Sequence, residues 1–316
     1  MAKSYRKIDY RIRPAKYAER NMLCAAFQKI RFGSIESYQY IGMGSVYFSD
    51  FILFHRALGI SRMISIEKEE GDQQRFLDNL PFSFIEMNWG TTTTQLPNID
   101  LSLRSIAWLD YDGRLSRSVL DDVRSFVSRA CSGSILIVSV QCNPEGFSPT
   151  EPTKNVQAIR DELGDPYVEI NLTDADLLGW GTAKVFRKAI INQIEEALAL
   201  RNSMRPDPQK MLFRQIFNFH YEDGAKMMTV GVALFDRGQQ NIFDQCGFAE
   251  LDFTRNDEAA FRIDVPKLTS RELKKLESQM PLKAGTAIDY GSMPESDAHQ
   301  FAKVYRYLPN FVATDF

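Results

Sequence analysis

The segment YQYIGMGSVYFSDF, residues 38–51, decides how this chain is interpreted. A short apolar run leads into two glycines, Gly42 and Gly44, and a pattern with helical spacing follows them. Glycine turns the chain tightly and removes the Cβ that would keep a ligand away from the backbone, and the start of the next helix offers unpaired N–H groups. The segment therefore predicts a strand, a cofactor-binding loop and a helix, with Tyr40, Gly42, Gly44 and Ser45 as candidate cofactor-binding residues.

Two polar residues end the apolar runs that follow this loop. Glu67 lies in the run SRMISIEKE, 25 positions after Gly42, and Asn88 ends the run FSFIEMN. The carboxyl ends of neighbouring parallel strands form the ligand-binding edge of an open α/β sheet. An acidic side chain at the position of Glu67 is placed to accept the two ribose hydroxyls of an adenosine, and Asn88 is a candidate contact to the adenine. A solvated charge and a turn residue are the alternative interpretations of these two side chains.

The first half of the chain alternates short apolar strands with helical segments. The runs SIAWLDYDG at 105–113 and GSILIVSVQCN at 133–143 are strands on either side of an amphipathic helix at 116–133. This alternation is typical of βαβ units in a parallel sheet. Residues 211–235 form two strand-like runs around E-D-G-A, which is a hairpin signal. The sequence therefore predicts an α/β fold with a mostly parallel sheet that ends in an antiparallel hairpin.

The order of the elements, the glycine loop, Glu67 and the terminal hairpin together resemble the class I, Rossmann-like methyltransferases, over residues of about 25–235. The resemblance implies a seven-stranded sheet and S-adenosylmethionine as the cofactor. In that family the first loop reads acidic-x-G-x-G-x-G, and the acidic residue helps to hold the methionine ammonium group. Here Tyr40 replaces the acidic residue and Val46 replaces the third glycine. The hydroxyl of Ser45 is a candidate for partial compensation.

The run WLDYDG, residues 108–113, ends a further apolar strand with two carboxylates. The run L-D-Y-D-G is similar to L-D-P-F-G of the tRNA guanine dimethylating enzymes and to D-P-[FY]-G of the three-Cys-motif partner proteins of bacterial conflict systems; Asp110 and Gly113 match. The resemblance implies that Asp110, Tyr111 and Asp112 are catalytic, with Asp110 orienting the lone pair of the acceptor toward the methyl group. Helix capping is the alternative. No metal is predicted, because no third carboxylate or histidine has a clear spacing with these two.

Other polar and aromatic side chains have weaker patterns. Asn143 and Phe147 follow the fifth strand and are candidate substrate contacts, with a turn residue and a rim aromatic as the alternatives. His220 is a lone histidine in an alternating strand and is interpreted as structural. Asp50, about one turn inside the helix after the loop, is interpreted as a solvated residue or one that pairs with the helix dipole.

Charge is distributed unevenly along the 316 residues. The net charge of −3 argues against a protein that coats nucleic acid non-specifically, but the first twenty residues hold seven basic side chains against two acidic ones. This basic N-terminal arm predicts nucleic acid as a partner, and a solvated, partly helical lead-in is the alternative. Four cysteines without C-x-x-C spacing, and no run of 18 apolar residues, predict a reducing, cytoplasmic setting without membrane contact.

Composition and pattern divide the chain into three parts. A basic arm and helix occupy 1–30, and a methyltransferase-like domain occupies 31–245 with a helical insert at about 150–205. Residues 246–316 are predicted to form a small C-terminal appendage, for which a winged-helix-like module and a packing arm are the alternatives.

Two functions from different classes agree with these residues. The loop glycines, Glu67 and Asp110 favour an S-adenosylmethionine-dependent methyltransferase that acts on a nucleic-acid or nucleotide acceptor. The two replacements in the loop favour a catalytically degenerate methyltransferase-fold module. Such a module would bind a protein partner or sense a ligand, and the resemblance to conflict-system proteins would place it in a bacterial defence system.

Overall fold

The computed structural model describes residues 13–68, 70–142, 154–283 and 285–309. The strands are β1 (Gln39–Gly42), β2 (Arg62–Glu67), β3 (Ile85–Trp89), β4 (Ser105–Arg114), β5 (Ser134–Gln141), β6 (Met211–Glu222), β7 (Lys226–Asp236) and β8 (Phe261–Ile263). The α-helices in these ranges are α1 (Pro14–Phe27), α2 (Ser49–Leu58), α3 (Gln73–Asp78), α4 (Thr92–Gln95), α5 (Arg117–Arg129), α6 (Lys154–Leu163), α7 (Gly181–Asn202), α8 (Gln240–Gln245), α9 (Ser270–Glu277) and α10 (Glu295–Val304).

All eight strands found in the described residues belong to one sheet with the order β3-β2-β1-β4-β5-β7-β6-β8. The pairs from β3 to β5 are parallel, whereas β7 runs antiparallel to both β5 and β6. This order confirms the predicted Rossmann-like, mostly parallel sheet with an antiparallel hairpin. The sheet has one strand more than the seven that the resemblance implied, because β8 pairs in parallel with β6.

Hydrophobic clusters cover both faces of the sheet. Helices α1 and α2 pack over one face, and α5 and α7 pack over the other. Successive side chains of a strand point to opposite faces, so Trp108 belongs to the α1 cluster and Leu109 to the α5 cluster. Burial on both sides explains why the central strands are continuous apolar runs in the sequence. The same alternation places Asp110 on the face that α1 covers.

The chain after the hairpin contributes to the same sheet and also forms a small core of its own. Phe253 and Phe261 pack in the α1 cluster, whereas Leu276 and Phe301 form a separate cluster with residues around α9 and α10. Helix α6 lies in the stretch of about 150–205 that the sequence predicted to be a helical insert. Within the described ranges, no helix is both long enough and apolar enough to cross a membrane.

Candidate active site

A cavity of about 390 Å³ opens at the carboxyl ends of β1, β2, β3 and β4. Its walls come from the loop after β1, from the residues that follow or end the other three strands, and from side chains of α1 and α2. The strand order reverses between β1 and β4, and open α/β sheets bind ligands at such a reversal. The volume lies in the range of small-molecule sites.

Hydrogen bonds to β2 hold the loop after β1 in a fixed conformation. The amide of Gly44 donates to Oγ of Ser65 at 3.1 Å, and the amide of Ser45 donates to Oε1 of Glu67 at 2.8 Å. Ser45 and Phe48 have φ angles of 47° and 45°, in the left-handed region that residues with a side chain rarely adopt. Such conformations persist where the surroundings impose them, and they are frequent in ligand-binding loops. Gly44 and Ser45 both line the cavity.

The two glycines of the loop make room for aromatic rings of the protein itself. A Cβ on Gly42 would lie 2.6 Å from the hydroxyl oxygen of Tyr40, and a Cβ on Gly44 would lie 2.5 Å from a ring carbon of Phe48. The sequence argument interpreted the missing Cβ atoms as room for a ligand. The approaching groups, however, are side chains of this chain, and only Gly44 of the two also lines the cavity.

Tyr40 lies behind the cavity wall and supports a residue of that wall. The ring is completely buried, packs edge-on against Phe51 and Phe54, and donates its hydroxyl hydrogen bond to Oδ2 of Asp50. Asp50 lines the cavity and is 8% exposed, so the expectation of a solvated Asp50 is wrong. Burial raises the pKa of the Asp50 carboxyl, and the positive charge of Arg20 opposes this effect.

Strands β2 and β3 differ in whether their predicted ligand-binding residue lines the cavity. Glu67 ends β2 and lines the cavity, where the sequence placed a ribose contact. Asn88 does not reach this cavity and lines a separate one, because β3 continues to Trp89 and Asn88 pairs with Ile66 inside the sheet. The residues after β3 that line the site are Gly90 and the threonines at 91–93.

Asp110, Tyr111 and Asp112 all line the cavity that Gly44 and Ser45 of the glycine loop also line. The hydroxyl of Tyr111 donates to Oδ2 of Asp122 at 2.7 Å, which fixes the ring as part of the wall. Asp112 is exposed at the rim. Neither aspartate caps α5, because the side chain of Ser116 accepts the hydrogen bond at the start of that helix.

Asp110 is held by a lysine of α1. The ammonium nitrogen of Lys16 lies 2.7 Å from Oδ1 of Asp110, 2.8 Å from Oε2 of Glu19 and 3.1 Å from the hydroxyl of Tyr221. It also lies 4.3 Å from the centre of the Trp108 ring. Lys16 is 2% exposed and Glu19 is 0% exposed, whereas the Asp110 side chain keeps 24% of its surface. Asp110 is therefore fixed through one oxygen and open to the cavity at the other.

A chain of buried hydrogen bonds continues from Glu19 into the sheet. Thr229 on β7 donates to Oε1 of Glu19, and its hydroxyl lies 2.7 Å from that of Ser139 on β5. The indole nitrogen of Trp108 on β4 donates to the same Ser139 hydroxyl at 2.9 Å. Because each member has a partner, this network fixes α1 to three strands.

Arg20 lies one turn after Lys16 and lines the cavity. The residue is 8% exposed, and its guanidinium makes no hydrogen bond or ion pair with another described residue. The interpretation of the basic N-terminal stretch as solvated is therefore wrong for Lys16 and Arg20. A signal was present in the sequence: both residues share a helical face with Leu23 and Phe27, so two charges lie on the apolar side of α1. Residues 1–12 lie outside the described ranges.

Other predicted residues lie elsewhere. Asn143 and Phe147 are outside the described residues. His220 is buried and stacks on Trp180 with ring centres 4.6 Å apart; burial, with help from Arg262 and Lys184, lowers its pKa to about 4. The ring is therefore neutral at pH 7, which agrees with the structural role predicted for it. In the parts of the chain that are described, no group of three or more His, Cys, Asp or Glu side chains is placed to hold a metal ion.

The sheet order, the antiparallel β7 and a cavity at the carboxyl ends of β1 to β4 define a class I, Rossmann-like methyltransferase fold. The chain belongs to the family described as Putative O-methyltransferase, whose model matches residues 8–316. This match confirms the predicted methyltransferase class. No curated protein matches the sequence.

Two solved structures from Pyrococcus horikoshii are similar to this chain. Trm1, solved in complex with S-adenosyl-L-methionine, is 13% identical; the match covers 73% of this chain and 58% of that chain, with a TM-score of 0.48. The putative transferase PH0793 is 12% identical; the match covers 71% of this chain and 64% of that chain, with a TM-score of 0.38. The chain thus spans less than two thirds of the length of either protein.

Proposed function

We propose that the protein transfers the methyl group of S-adenosylmethionine to a nitrogen or oxygen atom of a nucleic-acid or nucleotide acceptor. The observation that carries this proposal is the carboxylate of Asp110 at the end of β4. One oxygen is held by Lys16 at 2.7 Å, and the carboxylate lies in the same cavity as Glu67 and the glycine loop.

The residues of the cavity fit the cofactor. Glu67 offers a carboxylate to the ribose hydroxyls, and the loop at Gly44 and Ser45 brings backbone close to the same space. Arg20 offers a buried cation that has no partner among the described residues, which suits a ligand with a carboxylate. When bound, S-adenosylmethionine supplies an electrophilic methyl group on a sulfonium sulfur.

Asp110 is placed to position the acceptor. Its free oxygen accepts a hydrogen bond from the N–H or O–H group of the acceptor, which turns a lone pair of that atom toward the methyl carbon. Lys16 limits the motion of the carboxylate, because a short contact to a buried ammonium fixes one oxygen. The proton that the acceptor loses passes to Asp110 and then to water at the exposed rim of the site.

Two features support a nucleic-acid or nucleotide acceptor. The run L-D-Y-D-G resembles that of the tRNA guanine dimethylating enzymes, and residues 1–12 carry four basic side chains against one acidic one, which would attract phosphates. A nitrogen acceptor agrees with that run, whereas an oxygen acceptor agrees with the description of the family. Both acceptor atoms are therefore included in the test.

The alternative, a degenerate module, depended on the replacements at Tyr40 and Val46. Tyr40 supports Asp50 in the cavity wall, and Val46 is buried and does not line the cavity. Neither replacement fills the space of the site. The alternative function is therefore kept only as an outcome of the experiment.

The test combines binding with methyl transfer. Calorimetric titration with S-adenosylmethionine, S-adenosylhomocysteine and NAD is followed by incubation with tritiated S-adenosylmethionine and total RNA, DNA or free nucleotides. We expect binding of the first two ligands, label in one nucleic-acid or nucleotide fraction, and a loss of at least about 100-fold in the Asp110→Asn variant. Asp78→Asn, an exposed change on α3, is the control.

Each other outcome has a distinct meaning. Binding of S-adenosylhomocysteine with no label in any acceptor would support the degenerate module. Label in the protein fraction alone would overturn the nucleic-acid proposal but keep the methyltransferase. No binding of either cofactor form would overturn both.

A further inference from the structure

We infer that Asp50 and Arg20 form a binding site for the amino-acid end of the cofactor and together replace the acidic residue that the first strand lacks. This inference rests on the function proposed above. It concerns two residues that no part of the glycine loop motif contains, and they come from helices on one side of the cavity.

Asp50 supplies the negative charge of this site. It lies in the first turn of α2, directly after the glycine loop, and its carboxylate lines the cavity although the residue is only 8% exposed. The start of a helix favours a negative charge, and Tyr40 donates a hydrogen bond to Oδ2. A buried carboxylate in a cavity wall needs a cationic partner, and a ligand ammonium group meets that need.

Arg20 supplies the positive charge. Its guanidinium enters the same cavity from α1 and is buried to the same extent, with 8% of the residue exposed. It lies near enough to Asp50 to oppose the pKa increase of that carboxyl, yet the two side chains form no ion pair within 4 Å. Among the described residues, no other carboxylate pairs with it either. A carboxylate group of the ligand would complete the hydrogen bonds that Arg20 lacks.

The two charges match the two charges of an α-amino acid. The ammonium group of the methionine part would pair with Asp50, and its carboxylate would pair with Arg20. A ligand that contains only the adenosine part would leave both protein charges without a partner. The site therefore predicts a difference in affinity between two cofactor analogues that differ in that end alone.

Tyr40 explains why the acidic residue can be absent from β1. A tyrosine at this position reaches from the strand to the helix and holds an acidic residue there, so the negative charge comes from α2 instead of the strand. The close contact between Gly42 and the Tyr40 ring fits the same arrangement, because any larger residue at 42 would displace the ring.

Calorimetric titration of the full-length protein with S-adenosylhomocysteine and with 5′-methylthioadenosine tests the inference. The second compound keeps adenosine and sulfur but has no amino-acid group. We expect Asp50→Asn and Arg20→Met each to weaken binding of S-adenosylhomocysteine by between about tenfold and a hundredfold, the range for one charged hydrogen-bonded contact. Binding of 5′-methylthioadenosine should change by less than about threefold in both variants.

Matched controls remove a charge from the surface near the same elements. Arg56→Met on α2 and Asp78→Asn on α3 should bind both compounds as the wild type does, because neither side chain lines the cavity. Binding of 5′-methylthioadenosine by a variant also shows that the variant is folded.

Four results would overturn the inference. Unchanged affinity for S-adenosylhomocysteine in both variants would remove Asp50 and Arg20 from the site. Equal losses for both compounds would show a general effect on the pocket. Equal affinity of the wild type for both compounds would show that the amino-acid end makes no contact, while the adenosine pocket and the proposed function would stand. Failure of the wild type to bind either compound would refute the proposed function together with the inference.

Discussion

Helix α1 carries two buried cations near the cavity: Arg20 lines it, and Lys16 contacts Asp110 of its wall. The two cations differ in the partners that the protein gives them. Lys16 is surrounded by the oxygens of Asp110, Glu19 and Tyr221, all within 3.1 Å. Arg20, four residues later on the same face, is almost as buried but has no such partner among the described residues. The protein supplies oxygen partners for the ammonium group of Lys16, whereas the guanidinium group of Arg20 has no such partner among the described residues.

The difference indicates which charge serves the fold and which serves a ligand. Burial of a charge costs several kcal/mol unless partners compensate it. For Lys16 the compensation is internal, so this residue can join α1 to the sheet and hold Asp110. For Arg20 the cost is retained in the free protein, and a site that binds a charged ligand tolerates such a cost. The predictions below test this contrast through stability, from the largest expected effect to the smallest.

Lys16→Met should reduce the free energy of unfolding by about 3–5 kcal/mol, because it leaves the buried Glu19 without its cation and Asp110 without its anchor. Urea denaturation followed by circular dichroism measures the loss. Lys29→Met is the control, since the ion pair between Lys29 and Glu250 lies on the surface and should contribute no resolvable stability. A loss for Lys16→Met no greater than that of the control would show that the cluster is dispensable for folding.

Tyr40→Phe should reduce the free energy of unfolding by about 1.5–3 kcal/mol, the range for a hydrogen bond to a charged group. Tyr38→Phe is a matched control on the same stretch of chain. Tyr38 is as completely buried, but its hydroxyl donates to the neutral carbonyl of Gly133 at 3.0 Å, so about 0.5–1.5 kcal/mol is expected. Equal losses, measured by the same urea titrations, would mean that Asp50 does not present a charge to Tyr40.

The sequence predicts the order of strands and helices well, because this order depends on local patterns of apolar and turn residues. Apolar runs on both sides of an amphipathic helix gave the parallel strands, and E-D-G-A gave the turn between β6 and β7. Residues at strand ends, such as Glu67 and Asp110, were located for the same reason: strand ends meet at one edge of the sheet. Asn88 was misplaced because β3 ends at Trp89, one residue later than its apolar run suggested.

The charges of α1 and α2 were not predicted, because their environment is set by contacts between distant parts of the chain. Lys16 and Asp110 are 94 positions apart, and Glu19 and Thr229 are 210 positions apart. A basic residue in a short charged stretch is usually solvated, and only the packing of α1 on the sheet makes Lys16 and Arg20 internal. In the same way, Asp50 is internal because its carboxylate accepts a hydrogen bond from the buried Tyr40 on β1.

Asp50→Asn should change how stability depends on pH. Burial, the largest cause, raises the pKa of Asp50 above its ordinary value of 3.8, with Asp110 adding to the increase and Arg20 and Tyr40 opposing it. Between the unfolded pKa and the higher native pKa, the native state holds a proton on Asp50 that the unfolded chain has released. The Asp50 carboxyl therefore lowers the stability of the wild type as the pH rises through this range. The free energy of unfolding of the variant minus that of the wild type should rise with pH and then level off.

Urea titrations of both proteins from about pH 4 to about pH 8 measure that difference. Burial raises the pKa of Asp122 and Asp223 as well, but both groups are present in the two proteins and their contributions cancel. A difference that stays constant with pH would contradict the buried, protein-facing environment of Asp50.

Arg20→Met should have the smallest effect on stability, a change of less than about 1 kcal/mol in either direction. The substitution removes a buried cation that forms no ion pair with a described residue, so the relieved desolvation cost compensates for the lost side-chain contacts and the lost attraction to Asp50. The same urea titration that detects a large loss for Lys16→Met provides the comparison, since the two positions lie on one face of one helix and receive the same replacement. A loss for Arg20→Met as large as that for Lys16→Met would show that Arg20 is satisfied within the protein. Arg20 would then serve the fold as Lys16 does, and the proposed difference in role between these two residues would be refuted.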